Sequence, residues 1–261
     1  MTPEAVNVIV ATLRRAGCVF AEDEAALLIR AAQDAADLDA MVTRRVTGFP
    51  LEQVIGYAEF HGLRILLEPG VFVPRHRTEF LVQQAIELTG PGDTVVDLCC
   101  GAGAIGAALL VAIEGITLSA ADVDPTAVRC ARRNLATSAA HVYEGDLFDA
   151  LPASLMGAVD VLVANAPYVP TDGIPLLPPE ARDYEPHVAL DGGGDGLDVH
   201  RRIAEAAPRW LSPGGHLLIE TTEPQAERMV DIFSAAGLVP RIVSSDEWSA
   251  SVVIGRLAGQ G

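Results

Sequence analysis

The segment Val95-Val96-Asp97-Leu98-Cys99-Cys100-Gly101-Ala102-Gly103-Ala104-Ile105-Gly106 constrains the fold of this chain more than any other. It reads as a β-rich run, a glycine turn and a helix start, with Gly101, Gly103 and Gly106 spaced Gly-x-Gly-x-x-Gly. That spacing lets a ligand approach bare backbone at a helix N-terminus, where side chains would block it. Asp122 follows Gly103 by 19 residues, just after the next β-rich run, Ile116 to Ala121. A carboxylate there can accept both hydroxyls of a ribose.

From Thr78 onward, extended and helical stretches alternate. Further strands are expected over His141–Tyr143, Val159–Asn165, Gly215–Glu220, Leu238–Val243 and Ser251–Gly255. Helices are expected over Ala104–Ile113, Pro125–Thr137, Leu197–Trp210 and Gln225–Ala236. The alternation predicts an α/β fold: a doubly wound, seven-stranded Rossmann-like sheet with helices on both faces. Ahead of it, Pro3–Ala16, Glu22–Ala35 and Leu38–Val46 carry apolar residues at helical spacing, with Gly17 ending the first and Gly48 and Pro50 stopping the third. These predict a small helical domain over 1–50. Phe60, Leu63, Ile65 and Leu67, set among Gly62, Pro69 and Gly70, predict a β-hairpin linker over 51–76, which leaves 77–261 for the sheet domain.

The glycine turn and Asp122 alone fit either a dinucleotide or S-adenosylmethionine. Two details favour the latter. Asp97 lies at the end of its strand, where it can face a cationic methionine moiety, and Gly145-Asp146-Leu147-Phe148 follows the third strand, where Asp146 can read an adenine amino group.

A second signal, Asn165-Ala166-Pro167-Tyr168, follows the fourth strand. Ligands of doubly wound sheets bind outside the carboxyl ends of the strands, near the switch in strand order. The first and fourth strands would be neighbours there, so the tetrapeptide should share a crevice with the glycine turn. Its chemistry suits a planar NH2 group: the Asn165 side-chain oxygen and the Ala166 carbonyl can each accept one hydrogen, Pro167 fixes the turn, and the Tyr168 ring can cover a flat face. An amide nitrogen is a poor nucleophile, so the rate would come from positioning and electrostatics. The stretch from Val169 to Asp195 is long and rich in proline and glycine, which predicts a lid that orders when the acceptor binds.

Taken together, these segments resemble the PrmC/HemK-type release-factor glutamine N(5)-methyltransferase family. Val73-Pro74-Arg75-His76-Arg77-Thr78-Glu79 is similar to the family's Pro-Arg-x-x-Thr-Glu entry, and Asn165 to Tyr168 to its Asn-Pro-Pro-Tyr. Tyr184-Glu185-Pro186, Ala189 to Gly193 and Asp195-Gly196-Leu197 are similar to its late loop. The resemblance implies a methyltransferase using S-adenosylmethionine, with S-adenosylhomocysteine as product. Its acceptor would be a protein, through the glutamine of a release factor's Gly-Gly-Gln motif. It implies cofactor contacts from Arg75, Thr78, Glu79, Asp97, Cys99, Cys100, Gly101, Ala102, Gly103, Asp122, Asp146, Leu147 and Asn165, and catalytic roles for Asn165, Ala166, Pro167 and Tyr168. Three departures stand out: Ala166 replaces the first proline, Cys99-Cys100 a small or glycine pair, and Thr221-Thr222-Glu223 a glycine-containing turn. Other readings stay open: methylation of adenine in nucleic acid, methylation of a small-molecule amide or amine, or cofactor binding without turnover.

Composition narrows the partners. The formal net charge of −17, with no basic run longer than pairs such as Arg14-Arg15 and Arg132-Arg133, argues against direct nucleic-acid binding. Cys18, Cys99, Cys100 and Cys130 form no Cys-x-x-Cys pair and no Cys/His cluster with metal spacing, so no metal is expected and a reducing, cytoplasmic setting is. The most apolar stretch, Ala102 to Ile113, is interrupted by glycines and is too short to span a membrane. No secretion signal is expected from the first residues.

Overall fold

The computed structural model describes residues 1–136 and 140–259. Four helices come first: α1 (Pro3–Arg15), α2 (Ala21–Ala31), α3 (Ala35–Val46) and the short α4 (Leu51–Ile55). Their starts follow local chemistry. Thr2 and Asp34 cap α1 and α3 by accepting from the amides of Ala5 and Asp37, and Pro3 occupies the first turn of α1, where no intrahelical N–H is needed. Leu13, Ala21, Ala25, Leu28, Leu38 and Val54 close into a core of their own. Inside it, Arg45 donates to Glu24 at 2.6 Å and to the Phe49 carbonyl at 3.1 Å, so the buried charges are paired. α4 lies within the stretch expected as hairpin linker; the hairpin itself is β1 (Tyr57–Phe60) against β2 (Leu63–Leu66).

Beyond it run α5 (Glu79–Leu88), β3 (Thr94–Leu98), α6 (Ala104–Ala112), β4 (Thr117–Asp122), α7 (Pro125–Asn134), β5 (His141–Glu144), β6 (Val159–Ala164), α8 (Pro179–Tyr184), α9 (Asp198–Ala206), β7 (Leu211–Thr221), α10 (Glu223–Ala235), β8 (Leu238–Ser245) and β9 (Ala250–Leu257). Thr137, the expected end of α7, lies outside the described residues. The sheet order is β5-β4-β3-β6-β7-β9-β8, parallel as far as β7, with β9 and β8 antiparallel. As expected, β3 and β6 are neighbours, with Leu98 opposite Ala164, so the chain leaves both strands at one switch point.

The central strands are nearly continuous runs of Val, Leu, Ile and Ala because both faces of the sheet are covered. One face packs against α5, α6, α7 and the hairpin through Leu81, Leu109 and Leu118; the other packs against α9 and α10 through Ile203, Met229 and Phe233. Each such buried side chain contributes about 1.5–3 kcal/mol relative to exposure. Several boundaries differ from the sequence pattern, two of them for a visible local reason. Pro208 removes a helical donor, so α9 stops at Ala206 and a 3-10 turn follows. β7 begins at Leu211 rather than Gly215, its register shifting opposite Val159–Val161, where Asp160 accepts from Ser212 Oγ at 2.7 Å. No helix among the described residues is long and apolar enough to cross a membrane.

Candidate active site

The glycine turn leaves β3 through a left-handed Cys99 (φ 56°), followed by Gly101 (φ 54°) and Gly103 (φ 78°). The glycines divide the work unequally. A Cβ on Gly101 would meet nothing within 4 Å, and this residue lines an open cleft. A Cβ on Gly103 would crowd Leu135 and Ala131 at 3.2–3.3 Å, and one on Gly106 would sit 2.6 Å from Leu118. Those two are glycines so that α6 can pack against α7 and β4. The expectation that all three clear room for a ligand is therefore corrected to Gly101 alone.

The cleft is walled by Phe72, Cys99, Gly101, Asp122, Asp146, Leu147, Asn165, Pro167, Val199 and Arg202, among others. Asp122 accepts from Gly101 N at 2.8 Å and from Asp124 N at 2.9 Å, so the same carboxylate that faces the cleft also holds the turn. Burial pushes its carboxyl above the usual range, and those amides pull it back. Asp146, exposed at the rim, pairs with Arg202 at 2.7 Å. Asp97 lies beneath the turn, fully buried. Its Oδ2 accepts from Gly106 N at 3.1 Å, while Oδ1 has no partner among the described residues. Burial pushes Asp97 up to about 7, against the pull of the Gly106 amide. Cys100 and Ala102 are buried below the cleft rather than lining it.

A second crevice adjoins the first at Asn165 and Phe72. Its walls include Pro50, Glu52, Arg75, Arg77, Ala166, Tyr168, Leu177, Glu180, Glu185 and Leu190. Asn165 Nδ2 donates to Thr78 Oγ1 at 3.1 Å, and its Oδ1 accepts from no described residue. Arg77 donates to the Tyr168 hydroxyl and sits 5.8 Å from its ring centroid. Burial, the largest influence, and the nearby Glu220 raise the Tyr168 phenol, so it stays protonated at neutral pH.

The Asn165–Tyr168 backbone is held from behind. Gln225 Nε2 donates to Tyr168 O at 3.1 Å. Val169 and Asp191 form a bridge, with Val169 N on Leu190 O at 3.0 Å and Gly192 N on Val169 O at 2.9 Å. A Cβ on Gly192 would lie 2.7 Å from Pro167 O, so this glycine is required by close backbone approach.

The stretch expected as a free lid is a folded strap. It holds a 3-10 turn (Thr171–Leu176), α8 and a second 3-10 turn (His187–Ala189). Glu185, buried, accepts from Arg75 at 2.5 Å and from Val73 N at 3.3 Å. Tyr184 donates to Thr47 O at 2.6 Å and packs on Phe49, and Glu180 pairs with Arg45 at 2.8 Å. The strap thus ties the N-terminal helices to the crevice.

Three residues expected at the cofactor lie elsewhere. Arg75 is committed to Glu185, Thr78 to Asn165, and Glu79 to His76 (2.9 Å) and His61 (3.8 Å); none lines the first cleft. Arg75 and Thr78 are satisfied by partners 110 and 87 positions away, and Glu79 by histidines nearer in sequence. Glu220 escaped sequence reasoning altogether. It sits near the end of β7, only 2 % exposed, its Oε1 accepting from Arg77 Nε at 3.3 Å while its Oε2 has no partner among the described residues. The signal was available: like Asp97 and Asp122, it is an acid near the carboxyl end of an apolar strand.

A mostly parallel sheet with its switch point between β3 and β6, a glycine turn, an acid ending β4 and two adjoining clefts define a Rossmann-like methyltransferase. The Methyltransferase small domain family model matches residues 62–173. A methyltransferase structure from Pyrococcus furiosus superposes with a TM-score of 0.59 at 16% identity, covering 86% of this chain and 100% of that one, a likeness of fold. In sequence, the chain is 37% identical over 221 residues to the release factor glutamine methyltransferase of Geobacter sulfurreducens, covering 84% of this chain and 77% of the relative. The chain belongs to the release factor glutamine methyltransferase family. A 4-amino-L-phenylalanine/4-methylamino-L-phenylalanine methyltransferase of Streptomyces pristinaespiralis is also similar, 38% identical over 203 residues, covering 75% of this chain and 69% of the relative.

Proposed function

We propose that this protein transfers a methyl group from S-adenosylmethionine to the side-chain amide nitrogen of a protein glutamine, the Gly-Gly-Gln glutamine of a peptide-chain release factor. The observation that carries this reading is Asn165, whose amide NH2 donates to Thr78 while its oxygen has no partner among the described residues where the two clefts meet.

The first cleft fits the cofactor's chemistry. Asp97 has a buried oxygen with no partner among the described residues, suited to an ammonium group. Asp122, Asp146 and Leu147 line the same cleft, which suits ribose hydroxyls on Asp122 and an adenine against Asp146 and Leu147. Gly101 leaves its face of the cleft bare. When bound, S-adenosylmethionine supplies an electrophilic methyl on a sulfonium. The chain's own residues do the rest on the acceptor side. Asn165 Oδ1 and the Ala166 carbonyl accept the two hydrogens of the acceptor NH2, which localises electron density on nitrogen and fixes its direction. The Tyr168 ring, held by Arg77, covers the flat face of the amide. No side chain needs to act as a strong base, and the proton leaves after the nitrogen has been alkylated.

The crevice is walled by the start of α4, the strap and the Asn165–Tyr168 turn, which suits a polypeptide loop inserted between them. Ala166 keeps the carbonyl that its proline counterpart would offer, which favours turnover over binding alone. The arylamine-methylating relative motivates a second reading, a small planar amine as acceptor. A labelled-methyl assay separates them. Purified release factor should be labelled at its Gly-Gly-Gln glutamine, 4-aminophenylalanine should not be, and Asn165→Ala should lose about two to three orders of magnitude in rate with cofactor affinity retained. Near wild-type transfer by Asn165→Ala would reduce the tetrapeptide to a structural turn, and label on the free amino acid alone would move the function to the second reading.

A further inference from the structure

The acceptor crevice has a neighbour. Arg77 and Tyr168 wall both, and on their far side opens a crevice of about 410 Å³, as large as the acceptor crevice. Its base is the end of the sheet. Opposed residues of antiparallel strands share a face, and side chains alternate along each strand. On the face packed by α10, one row reads Ile219, Val253 and Ile242, and the next reads Thr221, Ser251 and Ser244. The face thus passes in one step from apolar core to hydroxyls. Thr221 is 5 % exposed, and its hydroxyl has no partner among the described residues. Such a group costs stability that a valine there would not. Ser244 Oγ and Ser251 Oγ share one hydrogen at 2.9 Å, which leaves the other to donate.

The side walls carry charge. Glu223 begins α10, and Asp246 lies in the turn from β8 to β9. Both are exposed, and neither carboxylate has a hydrogen bond or ion pair among the described residues. The cation on the walls, Arg77, is already matched by the buried Glu220. Two negative charges are therefore unspent. The turn that carries Asp246 is braced: the Trp248 ring lies 4.6 Å from that of His76, in the segment that also bears Arg77. Thr221 and Glu223 belong to Thr221-Thr222-Glu223, the turn at which this chain departs from the family's glycine-containing pattern.

We propose that this crevice is a second acceptor subsite, which seats the polypeptide flanking the methylated glutamine and selects a lysine or arginine there. The inference rests on the polypeptide acceptor read above. An extended chain that leaves Asn165 along the acceptor crevice crosses Arg77 and Tyr168 to enter it. Hydroxyls both donate and accept, so the row at its base can meet main-chain carbonyls and amides alike. Glu223 and Asp246 supply the charge preference.

The test is labelled-methyl transfer by the full chain to short peptides centred on Gly-Gly-Gln, with a single lysine walked through the flanking positions in place of alanine. At one position, or two adjacent ones, lysine should raise kcat/KM by about fivefold through KM, the scale of two partly screened ion pairs. High salt should shrink the gain. E223K/D246K should reverse the preference, so that glutamate at that position outperforms lysine, with calorimetry of S-adenosylmethionine binding as the check on folding. T221V separates a subsite from packing. Its Tm should hold or rise, because an unpaired hydroxyl is removed, while KM for the lysine peptide rises; a lower Tm with KM unchanged would make the row structural and overturn the subsite. Labelling of the glutamine with no responsive position, or a preference unaltered in E223K/D246K, sinks this inference and spares the acceptor site. If no peptide is labelled, the acceptor reading fails, and the crevice is judged alone by NMR. Titration with Gly-Lys-Gly should shift the Ser249 and Ser251 amide signals in wild type and not in E223K/D246K, and the absence of any shift in wild type would overturn the proposal.

Discussion

Replacing Gly196 by alanine should damage the acceptor site from behind, through the backbone of Tyr168. Gly196 has φ +78°, and a Cβ there would overlap the Tyr168 carbonyl oxygen and lie 2.6 Å from Gln225 Nε2. The left-handed backbone costs a non-glycine residue roughly 1–2 kcal/mol, and overpacking against a rigid neighbour roughly 1–3 kcal/mol. Together they amount to about 2–5 kcal/mol, short of unfolding a chain whose stability is on the order of 5–15 kcal/mol. At about 2 °C per kcal/mol for a protein of this size, Tm should fall by about 4–10 °C. The larger effect is on turnover, since relief of the overlap moves the Tyr168 carbonyl and, through it, the Asn165–Tyr168 turn. Misplacement by about 1 Å can cost about 100-fold in rate. The matched control is Gly194→Ala in the same loop, where a Cβ meets nothing within 4 Å and φ is not left-handed. Thermal unfolding and labelled-methyl transfer, the latter well below both midpoints, should separate the variants on both measures. If Gly196→Ala matches Gly194→Ala in Tm and kcat, the glycines do not back the acceptor turn and the close approach has no functional weight.

Asp122→Asn should weaken cofactor binding by about 1.5–3 kcal/mol in calorimetry, the scale for a lost charge-assisted hydrogen bond; unchanged affinity would remove Asp122 from the site. Asp97 binds its proton more tightly folded than unfolded, with a value of about 7 against 3.8. Its contribution to apo stability should therefore decline as pH rises from about 4 and level off above about 7, and Asp97→Asn should remove that part of the slope in denaturant titrations. S-adenosylmethionine affinity should rise over the same interval as the carboxylate ionises to meet a cation, and an affinity flat from pH 5 to 8 would count against that contact. The strap should be protected at its base: the amides of Val169, Thr171 and Gly192, bonded at 3.0, 3.0 and 2.9 Å, should exchange slowly with no acceptor present. Rapid exchange at all three would restore the picture of a free lid.

Local constraints made much of this protein legible from its residues. A run of β-branched residues followed by glycines and a helix start is a backbone requirement met within a dozen positions. It located β3, α6 and the cleft between them, and the alternation after it gave a seven-stranded doubly wound sheet with β3 beside β6. Asn165-Ala166-Pro167-Tyr168 was readable for the same reason, as a short polar turn directly after an apolar strand. What the residues could not reveal is which polar groups spend themselves on one another. Arg75 and Glu185, 110 positions apart, and Arg77 and Glu220, 143 apart, meet only because the fold brings the chain's entry segment under the strap and against the end of β7. A motif displays the polar groups of Arg75 and Thr78 but not their partners Glu185 and Asn165, so both looked free for a cofactor. Gly103 and Gly106 looked like ligand clearance until α7 and β4 were seen against them. Proline and glycine content likewise described the strap's backbone freedom but not its anchors on Arg45, Thr47 and Arg75. Backbone preference acts over a few residues and can be read along the chain. The pairing of buried charges acts across the packed core, and only the tertiary structure decides it.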